Sequence, residues 1–122
     1  MKELDEFIKF VEDSMEYDPW IKNRKLHGFV EEIVIEGKEA VEAVEKKDYA
    51  HLKEELGDVL SDFISACKLA EEQDLFDIRD VISSALKKLK RRRPYVAEKR
   101  KVSIDEANEI WAKVKEEEKS KS

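Results

Sequence analysis

Turn-forming residues are scarce in this chain: three glycines and two prolines punctuate 122 residues, while 44% of positions are charged. A sheet protein needs a turn every eight to twelve residues, so so few breakers leave long helices as the natural solution. With 41% hydrophobic residues the chain can still bury a core, and its length fits a single domain, residues 1–122. The fold class read from these facts is all-α.

Periodicity and end signals divide the chain into about five helices. The first spans about Lys2 to Tyr17, carries Leu4, Phe7, Ile8 and Val11 at helical spacing, and stops before Asp18-Pro19. The second runs from Lys22 or Leu26 to Lys46, and the third from an Asp48 cap to Gln73. The fourth follows Asp77 and ends in the basic run before Pro94. The last runs from about Ile104 to Glu118, opened by Ser103 with Glu106 three residues on, and residues 119–122 are expected to fray.

On a wheel of about 100° per residue, Val30, Ile33, Val34, Gly37, Val41 and Val44 share an arc of the second helix that predicts its packing seam. Glu32, Glu36 and Glu39 form a separate acidic stripe at i, i+4, i+7. The third helix repeats the arrangement. Leu52, Leu56, Val59, Leu60, Phe63 and Ile64 belong to its apolar arc, Glu54, Ser61, Ser65, Lys68 and Glu72 to its solvent arc, and Glu55, Asp58 and Asp62 lie between. An antiparallel pair joined by a short turn brings the two stripes together. Neither stripe carries a basic residue, so partly buried carboxylates there repel unless they are protonated or bridged by a cation. A hard divalent ion such as Mg²⁺, with oxygen ligands, resolves the conflict; two solvated acidic faces are the alternative. Gly57 costs about 1 kcal/mol in a helix interior, which predicts close approach of another helix there.

At net charge −6 the chain is no general nucleic-acid binder, it has no run long enough for a membrane span, and it reads as cytoplasmic. Cys67, among Phe63, Ile64, Ala66 and Ala70, reads as a small core residue. His27 and His51 read as surface or interface positions rather than zinc ligands.

The acidic pairs Glu36-Gly-Lys-Glu39 and Glu55-Leu-Gly-Asp58, the "ELGDVL" context, "EEQDLFDIRDVISSALKKLKRRRPYV" and "SIDEANEIWAKVKEEEK" occur here in order. Together they resemble the MazG-type nucleoside triphosphate pyrophosphohydrolases of the all-α NTP pyrophosphatase superfamily, over about Asp18 to Lys119, with residues 1–17 as an extra N-terminal helix. The resemblance implies Mg²⁺-dependent hydrolysis of NTP or dNTP to the monophosphate and pyrophosphate, with Mn²⁺ a possible substitute. It further implies Glu36, Glu39, Glu55 and Asp58 as metal ligands and Lys88, Arg92, Trp111 and Lys115 as substrate contacts. It also implies a helix pair that contributes to a four-helix bundle across a homodimer or homotetramer. Glu32 and Asp62, one turn outside the ligand positions, are candidates for a supporting role or a general base. Trp111 has a bland rival role as core beside Ile104, Ala107, Ile110 and Val114. Departures from the family pattern are Ile35 where a second glutamate is usual, Asp18 where cysteine is common, and "RRRPYV" in place of "RRHPHV". Two other enzymes share the acidic core: a dUTPase/dCTPase-like protein and a phosphoribosyl-ATP pyrophosphohydrolase. A non-catalytic helical interaction protein is the third alternative.

Overall fold

Local chemistry sets most of the helix ends. In the computed structural model, which describes residues 1–121, helix α1 (Lys2–Tyr17) stops where Asp18 turns extended ahead of Pro19. The Asp18 carboxylate accepts the Trp20 N–H at 2.9 Å and so caps a one-turn helix, α2 (Pro19–Lys22), with proline at its first position. Helix α3 (Leu26–Glu45) closes in a Schellman turn: Lys47 adopts φ 57° and the Asp48 N–H reaches the Ala43 carbonyl at 2.9 Å. The Asp48 side chain then accepts the His51 N–H at 3.1 Å and starts α4 (Tyr49–Glu72). This turn is so short that α3 and α4 must run antiparallel and side by side.

Two compact units emerge, Met1–Ile78 and Arg79–Ser122. In the first, α3 and α4 form the main pair, and α1 packs on α4 and α2. Its fully buried residues are Phe29 and Ala43 from α3 and Ile64 and Ala70 from α4, joined by Val11 of α1 and by Cys67. Burial raises the Cys67 thiol pKa, which suits an inert core position.

The second unit holds α5 (Ile78–Arg92, whose first residue ends the first unit), the one-turn α6 (Pro94–Ala97) and α7 (Ile104–Lys121). Ser103 accepts the Glu106 N–H at 3.1 Å. The Glu106 carboxylate pairs with Arg100 at 2.7 Å, so the capping box forms by half. Arg91 and Arg92 both bind Glu118, tying the end of α5 to that of α7. Helix α7 continues past Glu118 to Lys121, and Ser122, the end of the expected frayed segment, lies outside the described residues. None of the residues described in α5, α6 or α7 is buried.

The architecture is all-helical, and among the described residues there are seven helices rather than about five. Both extra helices begin at a proline. Proline ends the preceding helix, yet its fixed φ and missing N–H also suit the first position of a new one.

Three packing expectations are overturned. Val30, Val34, Val41 and Val44 are about half exposed, and so is Leu56 on α4. The α3–α4 seam is built instead around small residues, Ala40, Ala43, Cys67 and Ala70, which let the two backbones approach and draw the acidic stripes inward. The α4 arc assigned to solvent is exposed at Glu54 and Glu72 but covered in its middle: Ser65 is buried because α1 packs there, and Lys68 pairs with Glu12 at 3.4 Å. No element approaches Gly57, where an added Cβ would meet nothing within 4 Å. Gly57 instead lines a cavity of about 430 Å³ together with Phe7, Phe10, Asp58 and Ser61.

Candidate metal centre

Helix spacing and the tight turn at Lys47 put the acidic residues of α3 opposite those of α4. Asp62 and Glu55 are buried at 7% and 6% exposure, which is unusual for carboxylates and needs compensation. Ligand atoms of Glu32, Glu36 and Asp62 lie within 4.8 Å of one another, close enough to hold one cation. Further along the pair, Glu39 faces Glu55 within hydrogen-bonding reach. Asp58 sits between the two groups and feels the charges of both Glu55 and Asp62.

The electrostatics carry the signature of crowded acid. Burial, then the hydrogen bond and charge of Asp62, push the Glu36 carboxyl up to about 8. The hydrogen bond to Glu55 and its charge raise Glu39, and desolvation followed by the Glu55 charge raises Asp58. One carboxylate oxygen of Glu36 and one of Glu55 are buried with no hydrogen-bond partner. Such oxygens cost about 1–3 kcal/mol each when left unmatched, more if charged, so the site calls for a cation or protons. An all-oxygen donor set on two rigid helices fits a hard divalent ion such as Mg²⁺.

All six acidic residues named from sequence therefore lie along one α3–α4 interface. The tightest group draws together Glu36 with Glu32 and Asp62, whereas Glu39, Glu55 and Asp58 form the neighbouring part. Two residues near the site were not anticipated. One is His51, whose Nε2 lies 3.0 Å from Glu55 Oε1, an i, i+4 pairing that its spacing predicts. A basic residue does reach the acidic stripes, from outside both helices. Arg24, in the loop between α2 and α3, brings Nη1 to 4.0 Å from Asp62 Oδ1. Nothing in the local sequence marks it. His27 is surface-exposed and pairs with Glu31.

The four basic and aromatic candidates belong to the second unit. Trp111 is 46% exposed, which removes its rival role as core, and Lys115 Nζ lies 5.0 Å from the centre of its ring. Lys88 lines an open cleft with Asp80, Ser84 and Arg91. Arg92 donates to Glu118 at 3.2 and 3.0 Å, which raises its own pKa and holds Glu118 at about 2.

Residues 24–97 match the model of the MazG nucleotide pyrophosphohydrolase domain. The chain is 32% identical over 107 residues to YabN of Bacillus subtilis, covering 85% of this chain and 22% of that protein. It is 29% identical over 103 residues to the nucleoside triphosphate pyrophosphohydrolase of Escherichia coli, covering 84% of this chain and 39% of the relative. The chain thus spans well under half the length of these two relatives. A crystal structure of a MazG-related protein from Thermotoga maritima superposes with TM-score 0.84 at 28% identity, covering 92% of this chain and 98% of that one. With the family model matching more than half of this chain and the fold shared, the chain belongs to the MazG nucleotide pyrophosphohydrolase family.

Proposed function

We propose that this chain is a Mg²⁺-dependent nucleoside triphosphate pyrophosphohydrolase, converting an NTP or dNTP and water to the monophosphate and pyrophosphate. The observation that carries the reading is the buried, under-compensated carboxylate face between α3 and α4, in a chain of the MazG family. Relatives named as nucleoside triphosphate pyrophosphohydrolases support the same class of reaction.

In this reading Glu36, Glu39, Glu55 and Asp58 hold the metal, and Glu32 and Asp62, grouped with Glu36, complete its surroundings or take a proton from the attacking water. A divalent ion supplies charge neutralisation on the triphosphate and a more acidic bound water; Mn²⁺ can stand in for Mg²⁺. Without metal, the raised Glu36 carboxyl holds a proton at neutral pH, so loading the site at pH 7 releases protons. His51 fixes the orientation of Glu55 from one turn away. By the family pattern, Lys88, Arg92 and Lys115 are assigned to phosphate oxygens, and Trp111 to the base or sugar. Residues 1–122 act as one MazG-like domain in this account, set in the cytoplasmic nucleotide pool.

A homodimer is the proposed minimum state, with a tetramer as the larger option. Val30, Val34, Val41 and Val44 on α3, Leu56 on α4, and Ile82 and Leu86 on α5 are exposed, and apolar faces of this extent mark interfaces. A four-helix bundle formed by two α3–α4 pairs would cover the valine face.

The test is a panel of NTPs and dNTPs with Mg²⁺, with products separated by anion exchange. Monophosphate and pyrophosphate in equal amounts support the reading. Orthophosphate release, or turnover indifferent to chelator, overturns it, and the preferred nucleotide separates a general enzyme from a dUTPase/dCTPase-like or phosphoribosyl-ATP-specific one.

A further inference from the structure

We propose that Arg24 is a resident counterion of the α3–α4 carboxylate group, and that its competition with divalent metal sets the affinity of the site. This rests on the reading of those carboxylates as a metal centre.

Three features place the side chain. Its guanidinium carbon lies 5.5 Å from the centre of the Phe29 ring, which is itself fully buried. Its stem crosses α3 at Gly28, where a Cβ would meet Arg24 Cγ at 3.1 Å, so glycine leaves the channel that the stem occupies. Its Nη1 then stands 4.0 Å from Asp62 Oδ1, the buried carboxylate whose ligand atom lies within 4.8 Å of those of Glu32 and Glu36. At that distance the pair attracts by charge but makes no hydrogen bond, so Arg24 is held by its stem rather than by the carboxylate. It therefore softens the mutual repulsion of the acids when metal is absent and can withdraw without breaking a bidentate lock. A divalent ion entering among Glu32, Glu36 and Asp62 meets a positive charge already there.

The consequence is a trade. Arg24 stabilises the metal-free protein and weakens metal binding, acting as a positioning residue that keeps the acidic face assembled. Removing its charge should tighten Mg²⁺ binding by roughly tenfold, about 1.4 kcal/mol.

The experiment is calorimetric titration of the full-length chain with Mg²⁺ and with Mn²⁺, without nucleotide, on wild type, Arg24→Gln, Arg24→Lys and Gly28→Ala. Thermal melts with and without metal accompany it. Arg24→Gln should bind both ions about tenfold tighter and melt lower than wild type when metal-free. Arg24→Lys, which keeps the charge, should stay within about threefold of wild type. Gly28→Ala, whose Cβ would press on the stem at 3.1 Å, should change binding less than Arg24→Gln and add nothing in the Arg24→Gln background. Unchanged or weaker binding by Arg24→Gln, or identical behaviour of the Lys and Gln variants, overturns the counterion role and leaves the metal centre intact. A wild type that binds neither ion overturns both, and so identifies the failure with the metal reading itself.

Discussion

Replacing Glu36 by glutamine should stabilise the metal-free protein at alkaline pH while abolishing its response to Mg²⁺. The Glu36 carboxyl is pushed up from 4.5 to about 8, first by burial and then by Asp62, Asp58 and Glu32. Its folded-state pKa is raised, so the folded form holds the proton more tightly than the unfolded form. The stability this confers is fully present below pH 4.5 and is lost as pH climbs through 8. Unscreened, the full difference would be about 5 kcal/mol; solvent reaching the open edge of the stripe reduces this to roughly 2 kcal/mol. Glutamine keeps the shape, carries no charge, and can donate its amide N–H to Asp62. At roughly 4 °C per kcal/mol for a domain of this size, the variant should melt about 8 °C above wild type at pH 8.5 in EDTA, and near it at pH 5. Circular dichroism melts at fixed protein concentration, from pH 4.5 to 9, measure this directly. Excess Mg²⁺ should raise the wild-type midpoint at pH 8.5 and leave Glu36→Gln unmoved. A gap of equal size at both pH values, or a variant less stable than wild type at pH 8.5, would refute the electrostatic argument.

Val34→Glu combined with Val41→Glu should convert the proposed dimer to a monomer by light scattering, because both side chains lie on the exposed face of α3; an unchanged mass would move the interface elsewhere. Trp111→Ala and Lys115→Ala should each raise KM for the nucleotide about tenfold with a melting point within 2 °C of wild type, roughly the stability effect of a surface change. Steady-state kinetics and melts check both halves. Lys47→Gly should stabilise the chain by about 1 kcal/mol, seen in urea unfolding, because Lys47 occupies the left-handed region at φ 57° where glycine has no Cβ penalty.

What the sequence made legible was local. Asp18-Pro19, Asp48 and Ser103 are end signals whose chemistry acts within three residues: α1 ends at the first, and α4 and α7 begin at the other two. The all-helical class followed from the shortage of turn residues, and the two facing acidic stripes from helix periodicity across one tight turn. The packing faces were harder, because a helical wheel equates apolar with buried. In α3 the buried contacts fall to Phe29, Ala40 and Ala43, while the valines stay exposed: small side chains set how closely two helices approach. The wheel cannot separate that choice, because the valines and the alanines are all apolar. Ser65 looked polar and exposed because its cover, α1, lies some fifty residues away in sequence. Arg24 was invisible for a similar reason. Its reach to Asp62 depends on the slot at Gly28 and the ring of Phe29, and neither is a charge signal. His51 stands apart from these, since its i, i+4 relation to Glu55 was readable from spacing alone.

Metal-dependent release of pyrophosphate is the activity proposed for the carboxylate face between α3 and α4. It is tested most directly by measuring pyrophosphate and monophosphate formed from the best nucleotide substrate at saturating Mg²⁺, for wild type and for Asp58→Asn, with folding of both verified by circular dichroism. Wild type should form equal amounts of the two products, and the folded variant should lose at least 100-fold in rate, about 2.7 kcal/mol of barrier. A folded Asp58→Asn protein that releases pyrophosphate at the wild-type rate would contradict that assignment.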